Sequence, residues 1–144
     1  TTMTDAQQDS QAGRAWPRSI DAITLFVEDL DGARRFYREV FELPVIFEGD
    51  TSVVFDFGSA IINLLHVDSA PELIAPAAVG GQGATRFVIT VPVDDVDARC
   101  AVLAERGVEL LNGPMDRPWG IRTASFRDPA GHIWEIAQPL AERP

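Results

Sequence analysis

Residues 118–138 read PWGIRTASFRDPAGHIWEIAQ, and this stretch decides the fold. Ile121–Phe126 and Ile133–Ala137 are extended, mostly apolar runs on either side of Asp128-Pro129-Ala130-Gly131. Proline there presets the second φ of a turn and glycine frees its last position, so the pattern predicts a β-hairpin. Its second strand carries Glu135 between Trp134 and Ile136. A carboxylate in such a strand is costly unless it meets water, a partner, a metal or a ligand. Two readings follow: Glu135 leans inward to hydrogen-bond a neighbouring strand, or it lines a cavity.

Working upstream, Val108–Leu111 reads as a strand and NGPMDRPW as the loop leading into the hairpin. Before them, VDARCAVLAERG is a helix with Asp95 as N-cap, Gly107 as C-cap, and Val96, Cys100, Leu103 and Ala104 on one face. A strand at Thr85–Val91 precedes that helix, and Val67–Gly83, with two prolines and Gly80-Gly81, reads as a linker. The first half repeats this order. Its opening strand places Ala22, Thr24 and Phe26 on one face and Ile23, Leu25 and Val27 on the other. Asp29 caps the helix LDGARRFYREVFE, whose apolar positions Leu30, Ala33, Phe36, Tyr37, Val40 and Phe41 recur every three or four residues. Leu43-Pro44 ends it, and strands follow near Val45–Phe47, Ser52–Phe57 and Ala60–His66. TLFVEDL and TVPVDDV superpose at a constant offset of 66 residues, from Thr24 to Thr90 and from Asp29 to Asp95. The chain reads as an internal duplication, with a polar tail at 1–18, units at 19–67 and 84–139, a linker at 68–83 and a short tail at 140–144.

Composition narrows the partners. The 144 residues suit one domain, or two small halves with a shared core. Twenty-two acidic against 12 basic side chains give a net charge of −10, which repels nucleic-acid phosphates and anionic lipid and attracts cationic small molecules. The start is polar and no apolar run is long enough to span a bilayer, so the expectation is a cytoplasmic protein with neither nucleic acid nor membrane as partner. All the basic residues are arginine, which suits a bacterium with a GC-rich genome. The single cysteine, Cys100, excludes an intrachain disulfide and reads as core filler. Trp16, a lone aromatic in a polar arm, suits either an anchor or a surface residue.

Two tandem β-α-β-β-β units, each helix capped by Asp, together with VEDLDGARRFYREVFELP and FRDPAGHIWEI, resemble the vicinal oxygen chelate superfamily over residues about 19–139. That group includes glyoxalase, extradiol dioxygenases, fosfomycin-modifying enzymes and bleomycin-resistance proteins. The resemblance implies an α+β fold in which the units curl their sheets into an incomplete barrel, with helices outside and a cavity inside. It also implies metal-ligand positions in the first and last strands of each unit, here Ala22, Asn63, Val88 and Glu135. Only Glu135 is a strong donor, so the reading expects no metal and no cofactor. His66, at a strand end, and His132, at the turn, read as structural and not as replacement ligands.

Bleomycin-resistance-like members share the absent ligands, the acidic charge and a PWGxR segment, here Pro118-Trp119-Gly120-Ile121-Arg122. The resemblance therefore implies a homodimer that sequesters an antibiotic without altering it, in an aromatic-lined pocket suited to a flat or cationic ligand. The candidate lining is Thr24, Phe26, Phe47, Phe55, Phe57, Asn63, Leu65, Thr90, Trp119, Arg122 and Glu135, with no catalytic residue assigned. The alternative is an enzyme of the same fold acting on a small carbonyl or aromatic compound.

Overall fold

The computed structural model describes residues 16–141. Strands β1 (Ala22–Val27), β2 (Val45–Glu48), β3 (Ser52–Asp56) and β4 (Ile61–His66) form one sheet in the order β1-β4-β3-β2. Strands β5 (Ile89–Pro92), β6 (Leu110–Asp116), β7 (Ile121–Arg127) and β8 (Ile133–Pro139) form a second in the order β5-β8-β7-β6. Helix α1 (Leu30–Glu39) follows β1, α3 (Val96–Glu105) follows β5, and a single turn of helix, α2 (Pro71–Ile74), lies between the units. In each unit the first strand runs parallel to the last and the other pairings are antiparallel. This is the α+β arrangement of two β-α-β-β-β units, and both sheets stay open.

The caps act as their residue types dictate. Asp29 accepts from the Gly32 amide and Asp95 from the Ala98 amide, each at 3.0 Å, which satisfies a donor that the first helical turn leaves unpaired. Gly107, at φ 79°, turns the chain out of α3. In the β7–β8 turn Gly131 holds φ 92°, and a Cβ there would lie 2.7 Å from the Gln82 carbonyl oxygen, so the turn and the linker meet where only glycine fits.

Three local expectations change. Asn112–Asp116, expected as loop, belongs to β6. Gly113-Pro114 looks like a strand breaker, but β6 is an edge strand with two register shifts against β7, and a bulged edge tolerates both residues. Gly113 packs so close to β7 that its Cβ would meet the Thr123 carbonyl oxygen at 2.5 Å. The strand expected from Thr85 pairs only from Ile89 onward. The linker begins with a turn of 3-10 helix at Val67–Ser69 followed by α2. Trp16 is exposed, and the remainder of the polar start, residues 1–15, lies outside the described residues.

One core serves both units. Tyr37, Phe55, Phe126 and Trp134 are buried in it together with Leu25, Val27, Ile62, Leu64 and Leu103. Phe36, Tyr37 and Phe41 of the first helical segment meet Phe126 and Trp134 of the second sheet, with Phe41 4.8 Å and Tyr37 5.9 Å from Trp134 between ring centroids. Rings of this kind each remove about 150–250 Å² from water, worth several kcal/mol at about 25 cal/mol per Å². The two halves therefore share the burial that stabilises them.

Register confirms the duplication and locates where it has diverged. Thr24 lies opposite Asn63, and Thr90 opposite Glu135. The first residues of these pairs are 66 positions apart and the second 72, so the second unit is six residues longer between its helix and its last strand. The extra length goes into the β6–β7 hairpin, whose strands have seven residues each against four and five in β2 and β3.

Candidate functional site on the open sheet faces

Strand alternation sorts the side chains of the second sheet. Ala124, Phe126, Trp134 and Ile136 enter the core, so Thr123, Ser125 and Glu135 take the opposite face. Asn112 lies opposite Ser125, Ser125 opposite Glu135, and Glu135 opposite Thr90. These four side chains make a polar row across all four strands. The Thr90 hydroxyl donates to Glu135 Oε1 at 3.0 Å. On the first sheet the matching row is Thr24, Asn63, Val54 and Phe47. Asn63 Nδ2 donates to Thr24 Oγ1 at 3.4 Å, and Asn63 Oδ1 is buried without a hydrogen-bond partner. Each unit thus presents a threonine beside an amide or carboxylate at the same register.

Above the polar row sits Arg117. Its Nε donates to Thr123 Oγ1 at 2.9 Å, a terminal nitrogen donates to Asn112 Oδ1 at 3.5 Å, and its guanidinium carbon lies 5.9 Å from the ring centroid of Trp119. Trp119, at the hairpin tip, is 68% exposed.

The structure places Thr24, Asn63 and Phe47 in the row of the first sheet and Thr90 and Glu135 in the row of the second, with Phe26 and Leu65 opposite each other in the next row of the first sheet. Phe26 also lines a recess of about 210 Å³ under linker residues Val79–Gln82. Phe55 and Phe57 do not join the rows. Phe55 is fully buried beside Tyr37, and Phe57 stacks on Trp134 at 5.4 Å. Phe57 and Thr90 do meet in a recess of about 680 Å³ between edge strands β1 and β5, floored by Ile23, Ile62 and Trp134. Arg122 turns to the helix side, where it pairs with Asp116 at 2.8 Å and Asp97 at 3.0 Å. Its hydrogen bonds to Asp116 and then Asp97 raise its pKa further. Arg117, Asn112, Thr123 and Ser125 were not among the expected residues. The alternation in Thr123-Ala124-Ser125-Phe126 carries a signal for two of them, whereas Asn112 and Arg117 were hidden by the reading of their segment as loop.

The four positions at which the resemblance puts metal ligands do not assemble a site. Ala22, opposite Ile61, has no donor, and Val88 lies outside the β5 ladder with none either. Among the described residues no three His, Cys, Asp or Glu side chains converge. His66 Nδ1 accepts from the Asp68 amide, and His132 Nδ1 lies 2.9 Å from Asp128. A divalent ion needs three or more converging donors, and the described residues of one chain do not fit it.

The buried network at the hairpin turn lies on the other side of the sheet. Asp128 accepts from the amides of Ala130 and His132 at 3.0 and 2.8 Å and from the Tyr37 hydroxyl at 2.6 Å. Trp134 Nε1 donates to the Tyr37 oxygen at 3.0 Å. Burial, and then the Asp128 charge, push the Tyr37 phenol well above its ordinary pKa.

Known proteins resemble this chain in sequence and in fold. The chain is 32% identical over 123 residues to the uncharacterized protein YraH of Bacillus subtilis, covering 82% of this chain and 96% of YraH. It is 30% identical over 131 residues to the metallothiol transferase FosB of Shouchella clausii, covering 86% and 83%. A crystal structure of a glyoxalase/bleomycin resistance protein/dioxygenase from Nocardioides superposes with a TM-score of 0.79 at 22% identity, covering 97% of this chain and 96% of that one. The Glyoxalase/Bleomycin resistance protein/Dioxygenase superfamily matches residues 19–136, nearly the whole of the two β-α-β-β-β units, and the chain belongs to that superfamily.

Proposed function

We propose that the protein is a non-catalytic binder that sequesters a small aromatic antibiotic on the open sheet faces, which a second copy of the chain encloses. The donor set carries this reading. Alanine and valine occupy two of the four metal positions, and the other two, Asn63 and Glu135, are engaged with Thr24 and Thr90. These groups can hold a ligand by hydrogen bonds, and Glu135 favours one bearing a donor or a positive charge. Phe47, 55% exposed, offers flat apolar surface at the end of the first sheet's row, and Trp119, 68% exposed, offers it beside Arg117. No helix among the described residues is long and apolar enough to cross a membrane.

The similarity to FosB, a metallothiol transferase, supports an enzyme as the second reading, for which we propose a small carbonyl or aromatic substrate. Incubating the protein with the compound it retains, and recovering that compound by mass spectrometry, separates the two. Release of the unchanged compound in a fixed ratio to protein supports sequestration. A mass-shifted product formed over many turnovers overturns it.

A further inference from the structure

Four of the described arginines are partly buried: Arg34, Arg106, Arg117 and Arg122. Arg34 pairs with Asp31, Arg106 with Glu42, and Arg122 with Asp97 and Asp116. Arg117 is the exception, since among the described residues its guanidinium meets only neutral oxygens, those of Thr123 and Asn112. In a chain with 22 acidic residues against 12 basic ones, a half-buried arginine without a carboxylate partner among the described residues stands out. Thr123 and Asn112 hold the fork in place without neutralising it. A guanidinium presents five donors, so some stay free beside the exposed Trp119 ring.

Arg117 lies at one end of the row Asn112, Ser125, Glu135, Thr90. Glu135 stands two strands from Asn112, about 10 Å at the usual interstrand spacing. The face therefore carries a positive fork and, two strands away, a carboxylate that among the described residues only the Thr90 hydroxyl engages. We propose that the open face of the second sheet binds an organic oxyanion, with Arg117 receiving the acidic group, Trp119 stacking on the flat body and Glu135 accepting from a donor at the far end. Arg117 is suited to this because a fixed guanidinium bonds planar oxyanions in a bidentate manner. This assignment rests on the binding reading above and specifies the ligand class: an acid that carries a hydrogen-bond donor or a cation opposite its acidic group.

The test uses three probes that share one ring: benzoate, benzylamine and 4-(aminomethyl)benzoate. Binding is read by tryptophan fluorescence and by thermal shift. Benzoate and 4-(aminomethyl)benzoate should bind more tightly than benzylamine, and Arg117→Gln should weaken both acids at least about tenfold, the loss expected for a charge-assisted hydrogen bond. Arg117→Lys should restore part of the affinity. Glu135→Gln should weaken 4-(aminomethyl)benzoate and leave benzoate unchanged, an asymmetry that a general loss of folding does not produce. Inorganic phosphate added as competitor identifies the oxyanion: displacement of benzoate assigns a site for oxyanions at large, and no displacement narrows it to carboxylates. Equal binding of benzoate and benzylamine, no binding of either acid, or Arg117→Gln without effect on a folded protein overturns the proposal. Those outcomes leave sequestration standing, because that reading fails only if the retained compound is chemically transformed.

Discussion

The Tyr37 hydroxyl on α1 and Oδ2 of Asp128 in the β7–β8 turn lie 2.6 Å apart, joining the helix of the first unit to the hairpin of the second. The duplication predicts a mirror pair, Leu103 and Asp56, 66 positions after Tyr37 and 72 before Asp128. No such bond forms there. Leu103 has no polar group, and Asp56 is exposed and accepts from the Gly58 amide. This tie between helix and hairpin is one-sided.

Tyr37→Phe should therefore cost about 1–3 kcal/mol, the range for removing one partner of a buried hydrogen bond to a charged group. Two groups lose a partner, the Asp128 carboxylate and the Trp134 indole N–H. Urea denaturation of both proteins measures the difference, and a change within a few tenths of a kcal/mol would show that the tie does not stabilise the fold.

Tyr37 is the only tyrosine of the chain, so its titration can be read without overlap. Its folded pKa is raised by burial and by Asp128, above the unfolded value of about 10. At alkaline pH the unfolded state then binds fewer protons than the folded one, and stability falls. The contribution should be fully present below pH about 10 and lost as pH rises from there through the folded pKa. Phenolate absorbance should appear together with unfolding. A phenolate signal near pH about 10 in a protein that keeps its circular dichroism would contradict this.

Purified protein should contain no stoichiometric divalent metal, and a chelator should leave its melting temperature unchanged, because Ala22 and Val88 supply no donor. Emission spectroscopy is the measurement. About one zinc, nickel, manganese or iron ion per chain would refute the expectation.

A homodimer is expected in solution. Both sheets have unpaired edge strands, and Phe47, Phe87 and Val88 are exposed apolar side chains on or beside the open faces. Light scattering should give twice the 15.7 kDa of the chain. A monomer mass at high concentration would remove the second copy from the proposal.

Trp119→Ala should weaken binding of the retained ligand by about 1–3 kcal/mol, typical of losing an aromatic anchor. Stability should change little, since the side chain stands at an exposed tip. Titration calorimetry on both proteins decides it.

The sequence made the repeat legible because its markers are local: Asp29 and Asp95 cap their own helices, and Asp128-Pro129-Ala130-Gly131 turns on itself. Facing was legible where alternation runs unbroken, as at Thr24 with Asn63 and Thr90 with Glu135. It was not legible at Phe57, which lies just beyond the end of β3, where the chain turns it onto Trp134. Arg122 shares the parity of Ala124 and Phe126, so its side of the sheet was legible in the same alternation, whereas its two aspartate partners, which come from other elements, were not. Asn112 and Arg117 were hidden for a different reason. Gly113-Pro114 reads locally as the end of a strand, and only pairing with β7 shows that the strand continues past it.

The longer β6–β7 hairpin has a consequence for engineering. Its additional residues lie beyond the row that contains Thr90 and Glu135, so the tip can change in length while those two residues keep their partners. Side chains alternate with a period of two. Adding a matched pair of residues to each arm should therefore preserve which side chains face the rows, and adding one to a single arm should invert an arm or bulge it. The hairpin is a graft point at which new contacts can be installed on an otherwise unaltered scaffold.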